Sequence, residues 1–285
     1  DETSPSIFVR FEMTSKPAGL ENFDGPVDFI IWTTTPWTIP SDQAVSLKPG
    51  AAYVAVEHEG RAEVMLEDLA PKCCEEFGWE YTPVMVDGKP YVVPAETFHH
   101  IHYKQPIFDG VEGVALLADY VGVDDGTGIV HNSPGHGVDD YFACLKEGIT
   151  DICMPVDDDG KFYTGEEFGT GGPFSGMDTD EANPHIIEFL RERGTLVLEK
   201  KITHSYPHCW RCKKPIIFRA TPQWFCSVDS FKDEACAACD DVRWVPGWGI
   251  DRMKSMIRER ADWCISRQRR WGLPIPVFYL SLIHI

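Results

Sequence analysis

Phe29-Ile30-Ile31-Trp32-Thr33-Thr34-Thr35-Pro36-Trp37-Thr38 and Gly126-Thr127-Gly128-Ile129-Val130-His131-Asn132-Ser133-Pro134-Gly135-His136-Gly137-Val138-Asp139-Asp140 decide how this chain is read. The first stretch is an apolar strand that runs out into hydroxyls and proline, so its tip presents hydrogen-bonding groups rather than packing surface. The second passes from an alternating strand through a Pro-Gly turn into a helix, expected from Asp139 to Lys146 and closed by Gly148. Asp139 and Asp140 then fall in the first turn, where the helix dipole favours ionised carboxylates. Taken singly, the threonines read equally well as ordinary strand residues and the two acids as helix caps.

The rest of the chain places these stretches in a strand-rich setting. Tyr53 to Val56, Glu63 to Leu66 and Gly126 to His131 read as short strands separated by Gly, Pro and Asp turns. Helices are expected from Glu181 to Arg193, behind cap candidates Asp178, Thr179 and Asp180, and from Asp251 to Ala261. The fold class is therefore α+β. A hydrophobic content of 43% with nine tryptophans is ample for packed cores. No apolar run reaches the roughly 18 to 20 residues of a membrane helix, and the amino terminus has no secretory signal pattern. Ten scattered cysteines, with Cys73 and Cys74 adjacent, do not form a disulfide framework, which points to a reducing cytoplasm.

Charge divides the chain. Residues 1–180 hold 9 Lys and Arg against 33 Asp and Glu, whereas residues 181–285 hold 17 against 12. Seven basic residues, Arg252, Lys254, Arg258, Arg260, Arg267, Arg269 and Arg270, cluster near the carboxyl end. An acidic half is a poor general nucleic-acid binder, and the basic cluster reads either as a solvated helix face or as a path for phosphates.

Together the two stretches resemble the paired signatures of the editing domain of class I aminoacyl-tRNA synthetases, in their isoleucyl form. Valyl and leucyl relatives carry a Thr-Thr-Arg-Pro type of motif where this chain has Thr33-Thr34-Thr35-Pro36-Trp37-Thr38. His204-Ser205-Tyr206-Pro207-His208-Cys209-Trp210-Arg211, Pro215 to Phe225 and Asp262-Trp263-Cys264-Ile265-Ser266-Arg267-Gln268-Arg269-Arg270-Trp271-Gly272 resemble the return from the editing insertion into the catalytic nucleotide-binding fold. The likeness runs to about residue 279, in the bacterial style of the family. It implies a distorted editing barrel over residues 1–198, then a basic connecting segment and the start of the second half of the catalytic domain over 199–285. Residues 280–285 depart from the family pattern.

By this resemblance the reaction is post-transfer editing: hydrolysis of the ester between valine and tRNA(Ile). One missing methylene is worth only about 1 to 3 kcal/mol of discrimination, so an isoleucine-activating pocket needs a second, hydrolytic sieve. Asp140 matches the residue that holds the substrate ammonium, and His131 the gate against the cognate isoleucyl group. Thr33, Thr34 and Thr35 match the run that contacts the terminal adenosine and orients the attacking water. Trp32, Thr38, Asp42, Gly135, His136 and Asp139 are the surrounding substrate-binding candidates. Asp42 departs from the family's usual asparagine, exchanging a donor amide for an acceptor carboxylate. It would repel a ribose or phosphate, or assist an ammonium.

Cys209-Trp210-Arg211-Cys212 and Cys236-Ala237-Ala238-Cys239 have the spacing of a zinc ribbon. The first pair matches a family zinc knuckle; the second aligns with an ordinary helix. Zinc at Cys209 and Cys212 and a four-cysteine site thus stay as alternatives, and editing itself requires no cofactor. The ATP-binding motifs of a whole synthetase are absent, Arg252-Met253-Lys254-Ser255-Met256 being only a superficial likeness to one. ATP and magnesium, and ligation of isoleucine, would belong to the full-length enzyme. The expected partner is the acceptor end of tRNA(Ile) carrying valine, with small amino acids also bound, and the expected state is a monomer. A non-catalytic tRNA-binding or zinc-ribbon fragment and valyl-type editing of threonyl-tRNA are the competing readings.

Overall fold

The computed structural model describes residues 2–267 and 272–277. Arg269, Arg270 and the atypical residues 280–285 lie outside them. Two compact units divide the chain, Asp1–Ala220 and Thr221–Ile285. The strand Leu196–His204 runs across the boundary expected at residue 198 and belongs to the first unit.

The strands of the first unit are β1 (Glu2–Glu12), β2 (Val27–Thr33), β3 (Ala44–Leu47), β4 (Ala52–His58), β5 (Arg61–Leu66), β6 (Met85–Val86), β7 (Lys89–Pro90), β8 (Val92–Pro94), β9 (His102–Lys104), β10 (Glu112–Leu117), β11 (Ile129–Asn132) and β12 (Leu196–His204). Its α-helices are α1 (Ala70–Phe77), α2 (Val138–Lys146) and α3 (Thr179–Glu192). A six-stranded sheet has the order β12-β1-β2-β5-β4-β8, and a four-stranded sheet the order β11-β3-β10-β9. The result is the strand-rich α+β architecture that the sequence pattern implies. No helix among the described residues is long and apolar enough to cross a membrane.

Strand β2 explains its own composition. It lies between β1 and β5 in mid-sheet, antiparallel to one and parallel to the other, so both faces are covered and the run Phe29-Ile30-Ile31 is wholly buried. Buried acids also serve this sheet. Arg61 grips Asp28 with two hydrogen bonds, of 2.8 and 2.7 Å, and the Arg10 Nε donates to Glu63 at 2.8 Å.

The approach to β11 is stitched across the two sheets. Thr127 donates its hydroxyl to the Ile30 carbonyl at 2.5 Å, and Leu66 donates its amide to the Thr127 carbonyl at 2.8 Å. Gly128, at φ +72°, lies so close to Leu66 that a Cβ would come within 2.4 Å of the leucine Cβ. Only glycine meets both demands. This clasp draws the start of β11 onto the middle of β2, and the hydroxyl-bearing end of β2 toward the end of β11.

Helix α2 begins at Val138 and reaches its C-cap at Glu147. Helix α3 starts on Asp178, whose side chain accepts from the Glu181 amide at 2.8 Å, as the cap reading expects. Asn183 of α3 accepts from the Trp37 amide at 3.0 Å and so anchors the 3-10 turn Pro36–Ser41 that follows the threonines.

The second unit contains a short antiparallel strand pair, β13 (Phe225–Cys226) with β14 (Trp263–Cys264), and between them the helices α4 (Lys232–Ala238) and α5 (Gly249–Arg258). Cys236 and Cys239 are buried within it, the Cys239 thiol donating to the Ala235 carbonyl at 3.3 Å.

A candidate editing site built on two strand ends

The two diagnostic stretches, almost a hundred residues apart, touch. The Thr38 hydroxyl lies 3.0 Å from His131 Nε2, and Ser133 donates its hydroxyl to the Thr38 carbonyl at 2.7 Å. From Thr38 a row of hydroxyls leads back along the first stretch. Thr35 Oγ1 is 3.4 Å from Thr38 Oγ1 and 3.3 Å from Thr33 Oγ1, and the Thr35 amide donates to Thr33 Oγ1 at 3.1 Å. Thr34 and Thr35 face a cavity of about 240 Å³ shared with Trp37, Asn183 and Tyr206.

Asp42 is fully buried behind His131. Its carboxylate faces His131 Nδ1 at 3.3 Å and accepts a short hydrogen bond from the Tyr103 hydroxyl. It therefore points at neither of the substrate groups weighed for it; its partners are a protein imidazole and a phenol. Burial pushes its pKa up to about 6, against the opposing pull of His131 and Tyr103.

The protons can be counted. The single Thr38 hydroxyl proton has two acceptors in reach, the Thr35 carbonyl at 2.8 Å and His131 Nε2. If it goes to the carbonyl, Nε2 must carry a proton of its own and donate to Thr38. A neutral imidazole then has a bare Nδ1, which needs a protonated Asp42. If Asp42 is ionised, Nδ1 donates to it, and His131 is either the other neutral tautomer or an imidazolium. The hydrogen bonds of Asp42, His131 and Thr38 are thereby interdependent.

Asp140 stands at the other side of this core. Its Oδ2 accepts from the Ser133 amide at 3.0 Å and its Oδ1 from the Tyr120 hydroxyl at 3.1 Å. Tyr120 also lies 3.0 Å from Asn132 Oδ1, and Asn132 donates to Ser46 at 2.8 Å. Burial raises the Asp140 pKa, while His131, the Ser133 amide and Tyr120 pull the other way. The sequence expectation is a carboxylate kept ionised by the helix dipole; burial opposes that here, and a cationic group beside Asp140 would favour the ionised form.

The remaining candidates divide. His136 is buried with its ring edge-on to Trp37, centroids 4.7 Å apart, and its Nδ1 faces the Phe218 carbonyl at 2.8 Å. Burial pushes its pKa down to about 4, so it is a neutral ring. Gly135 packs against the Cys153 carbonyl, where a Cβ would come within 2.4 Å. Asp139 is exposed on the outer face of α2. Trp32 is turned away from the hydroxyl row, donating to Ser6 at 2.7 Å and lining a different cavity with Gly126 and Lys72. Cys209 and Cys212 sit on a tight turn in which Lys213 donates its amide to the Cys209 carbonyl at 2.8 Å, and two thiols are half of the ligand set of a tetrahedral zinc. Tyr103 and Tyr120, the two phenols that hold the acids, carry no spacing signal and escape a reading of sequence alone.

A fold of this kind, with this pair of strand ends, defines a class. The chain belongs to the class I tRNA synthetases (I, L, M and V), whose family model matches residues 15–283. Within that family its similarity is to isoleucine–tRNA ligases. That of Nitratidesulfovibrio vulgaris (strain DSM 19637 / Miyazaki F) is 46% identical over 280 residues, 96% of this chain and 29% of the relative. That of Acholeplasma laidlawii (strain PG-8A) is 43% identical over 279 residues, 98% of this chain and 29% of the relative. The chain thus spans less than a third of the length of these relatives. Among solved structures, GlLeuRS-CP1 aligns with a TM-score of 0.52 at 15% identity, covering 71% of this chain and all of that one. The editing domain of the P. knowlesi cytosolic leucyl-tRNA synthetase aligns with a TM-score of 0.51 at 10% identity, over 68% and 96%. At such identities the likeness is one of fold.

Proposed function

We infer that this chain is the proofreading portion of an isoleucine–tRNA ligase and hydrolyses the ester of valine wrongly joined to tRNA(Ile). The observation that carries the reading is the junction of Thr38, His131 and Ser133 with Asp140 bonded to the same Ser133. It gathers a hydroxyl row, an imidazole and a carboxylate in an isoleucyl-type motif context.

In this reading Asp140 receives the substrate ammonium through a charge-assisted hydrogen bond, which fixes the aminoacyl group. The threonines hold the terminal adenosine and place a water against the ester carbonyl. Positioning is the main catalytic resource, because no serine or cysteine nucleophile with its base stands in the row. The water adds to the carbonyl carbon, the ester C–O bond then breaks, and the proton lost by water reaches the departing ribose oxygen with help from the neighbouring ribose hydroxyl. In this reading His131 limits the room beside the aminoacyl group, so that the isoleucyl side chain, one methylene longer, is refused. The acceptor end of the tRNA is the partner, the cytoplasm the compartment, and ligation with ATP the work of the whole enzyme. Zinc at Cys209 and Cys212 would serve structure alone.

The test is hydrolysis of valyl-tRNA(Ile) by the chain and by Asp140→Ala. Turnover that disappears in the variant, with its melting curve retained, supports the reading. Equal rates for both proteins, or faster release of threonine from tRNA(Val), overturn it.

A further inference from the structure

We propose that His99, His100 and Glu147 form a binding site for a borderline divalent cation of the zinc, cobalt and nickel class. Among the described residues this is the group of three metal-capable side chains whose ligand atoms all lie within 4.8 Å of one another. It stands apart from the cysteine pairs and from the hydroxyl row.

The distances suit a chelate as well as an ion pair. Glu147 Oε2 lies 3.4 Å from His99 Nε2 and 3.2 Å from His100 Nε2. Charge-assisted N–H···O bonds close to about 2.7 to 2.9 Å. Both separations are longer and both converge on one oxygen; the 3.2 Å contact is still a hydrogen bond, the 3.4 Å one is not. Zinc bonds of about 2.0 to 2.1 Å put neighbouring ligand atoms on a tetrahedron about 3.3 to 3.4 Å apart. The two nitrogen–oxygen separations match that spacing, and the two nitrogens lie within 4.8 Å of each other.

Three further observations agree. His99 Nε2 is buried and makes no hydrogen bond, an unused ligand atom in the middle of the group. His100 adopts φ +66°, a left-handed conformation uncommon for a residue with a side chain, and its ring comes to 3.8 Å from that of His99, centroid to centroid. Lastly, Glu147 is the C-cap of α2, the negative end of a helix dipole, where a carboxylate is unfavourable and a cation favourable. With His100 largely exposed, water can complete the coordination shell. A bound ion would tie the end of α2, the helix that begins with Asp140 in its first turn, to the turn between Phe98 and β9.

Cobalt(II) is the probe, because thiolate ligands announce themselves by a strong near-ultraviolet charge-transfer band that imidazole and carboxylate lack. The chain carrying Cys209→Ser and Cys212→Ser should take up one equivalent of cobalt without that band, and zinc should displace it. His99→Gln and Glu147→Gln should each weaken binding by about tenfold or more with the circular dichroism spectrum unchanged. Anomalous diffraction at the zinc edge on the unmutated chain should place a peak between the three side chains. No cobalt uptake outside thiolates, affinity indifferent to both substitutions, or zinc peaks only at cysteines would overturn the site.

Discussion

Replacing Asp42 by asparagine isolates the electrostatic cost of holding a carboxylate behind the gate candidate. In the folded chain burial raises Asp42 from 3.8 to about 6. The folded state therefore binds this proton more tightly than the unfolded one, so the stabilisation is complete below about pH 4 and is lost as pH rises through about 6. A shift of about two units corresponds to about 3 kcal/mol by the upper end of that window. An asparagine at this position can keep both neighbours, its carbonyl accepting from Tyr103 and its amide donating to His131 Nδ1, while carrying no charge. Urea unfolding should thus find D42N more stable by up to about 3 kcal/mol near pH 7.5 and about equal to the parent near pH 4. His136, held near 4 by burial, acts with the opposite sign: its contribution is present above about pH 6.5 and lost as pH falls through about 4. Both proteins carry it, so the difference between them cancels it. A D42N protein less stable by more than about 1 kcal/mol near neutrality, or a difference independent of pH, would refute the reasoning.

Gly137→Ala tests the placement of Asp140 by steric means. An added Cβ would sit 2.6 Å from Asp140 Oδ2 on backbone of ordinary extended geometry, so the carboxylate must release the Ser133 amide; deacylation should fall about tenfold or more with little change in melting temperature. His131→Ala should begin to cleave correctly charged isoleucyl-tRNA in a side-by-side deacylation assay. It should also lose about 1 to 3 kcal/mol of stability in urea, because Thr38 and Asp42 are left without the imidazole. Tyr120→Phe removes one of the two hydrogen bonds on Asp140 and should slow deacylation less than Asp140→Ala does, measured under the same single-turnover conditions.

Local signals carried the sequence reading far into this fold. The Pro-Gly turn and the following acids mark the start of α2, Asp178 marks that of α3, and the strand Phe29-Ile30-Ile31 ends where its hydroxyls begin. What brings those parts together is not local. The Thr127 hydroxyl on the Ile30 carbonyl and the contact of Gly128 with Leu66 are tertiary facts, visible only once both sheets exist. Tyr103 and Tyr120 hold the two acids, but a phenol in a strand or loop has no spacing that distinguishes it from packing. Asp42 was legible as a departure, whereas its direction was not, since the side on which a buried carboxylate lies depends on strand pairing. Asp140 shows the limit of helix-dipole arguments: the first-turn position is readable, the desolvation around it is not. His99 and His100 carry no motif that singles them out in the sequence, and only the fold brings Glu147 to them.

The central claim is that the strand-tip threonines and the turn from His131 to Asp140 enclose one aminoacyl group. A crystal structure of the chain with a non-hydrolysable amide analogue of 3′-valyl adenosine addresses it most directly. The account predicts the valyl ammonium on Asp140, its side chain against His131 and the adenosine along Thr33 to Thr35. Density for the analogue elsewhere, with this cluster untouched, would contradict it.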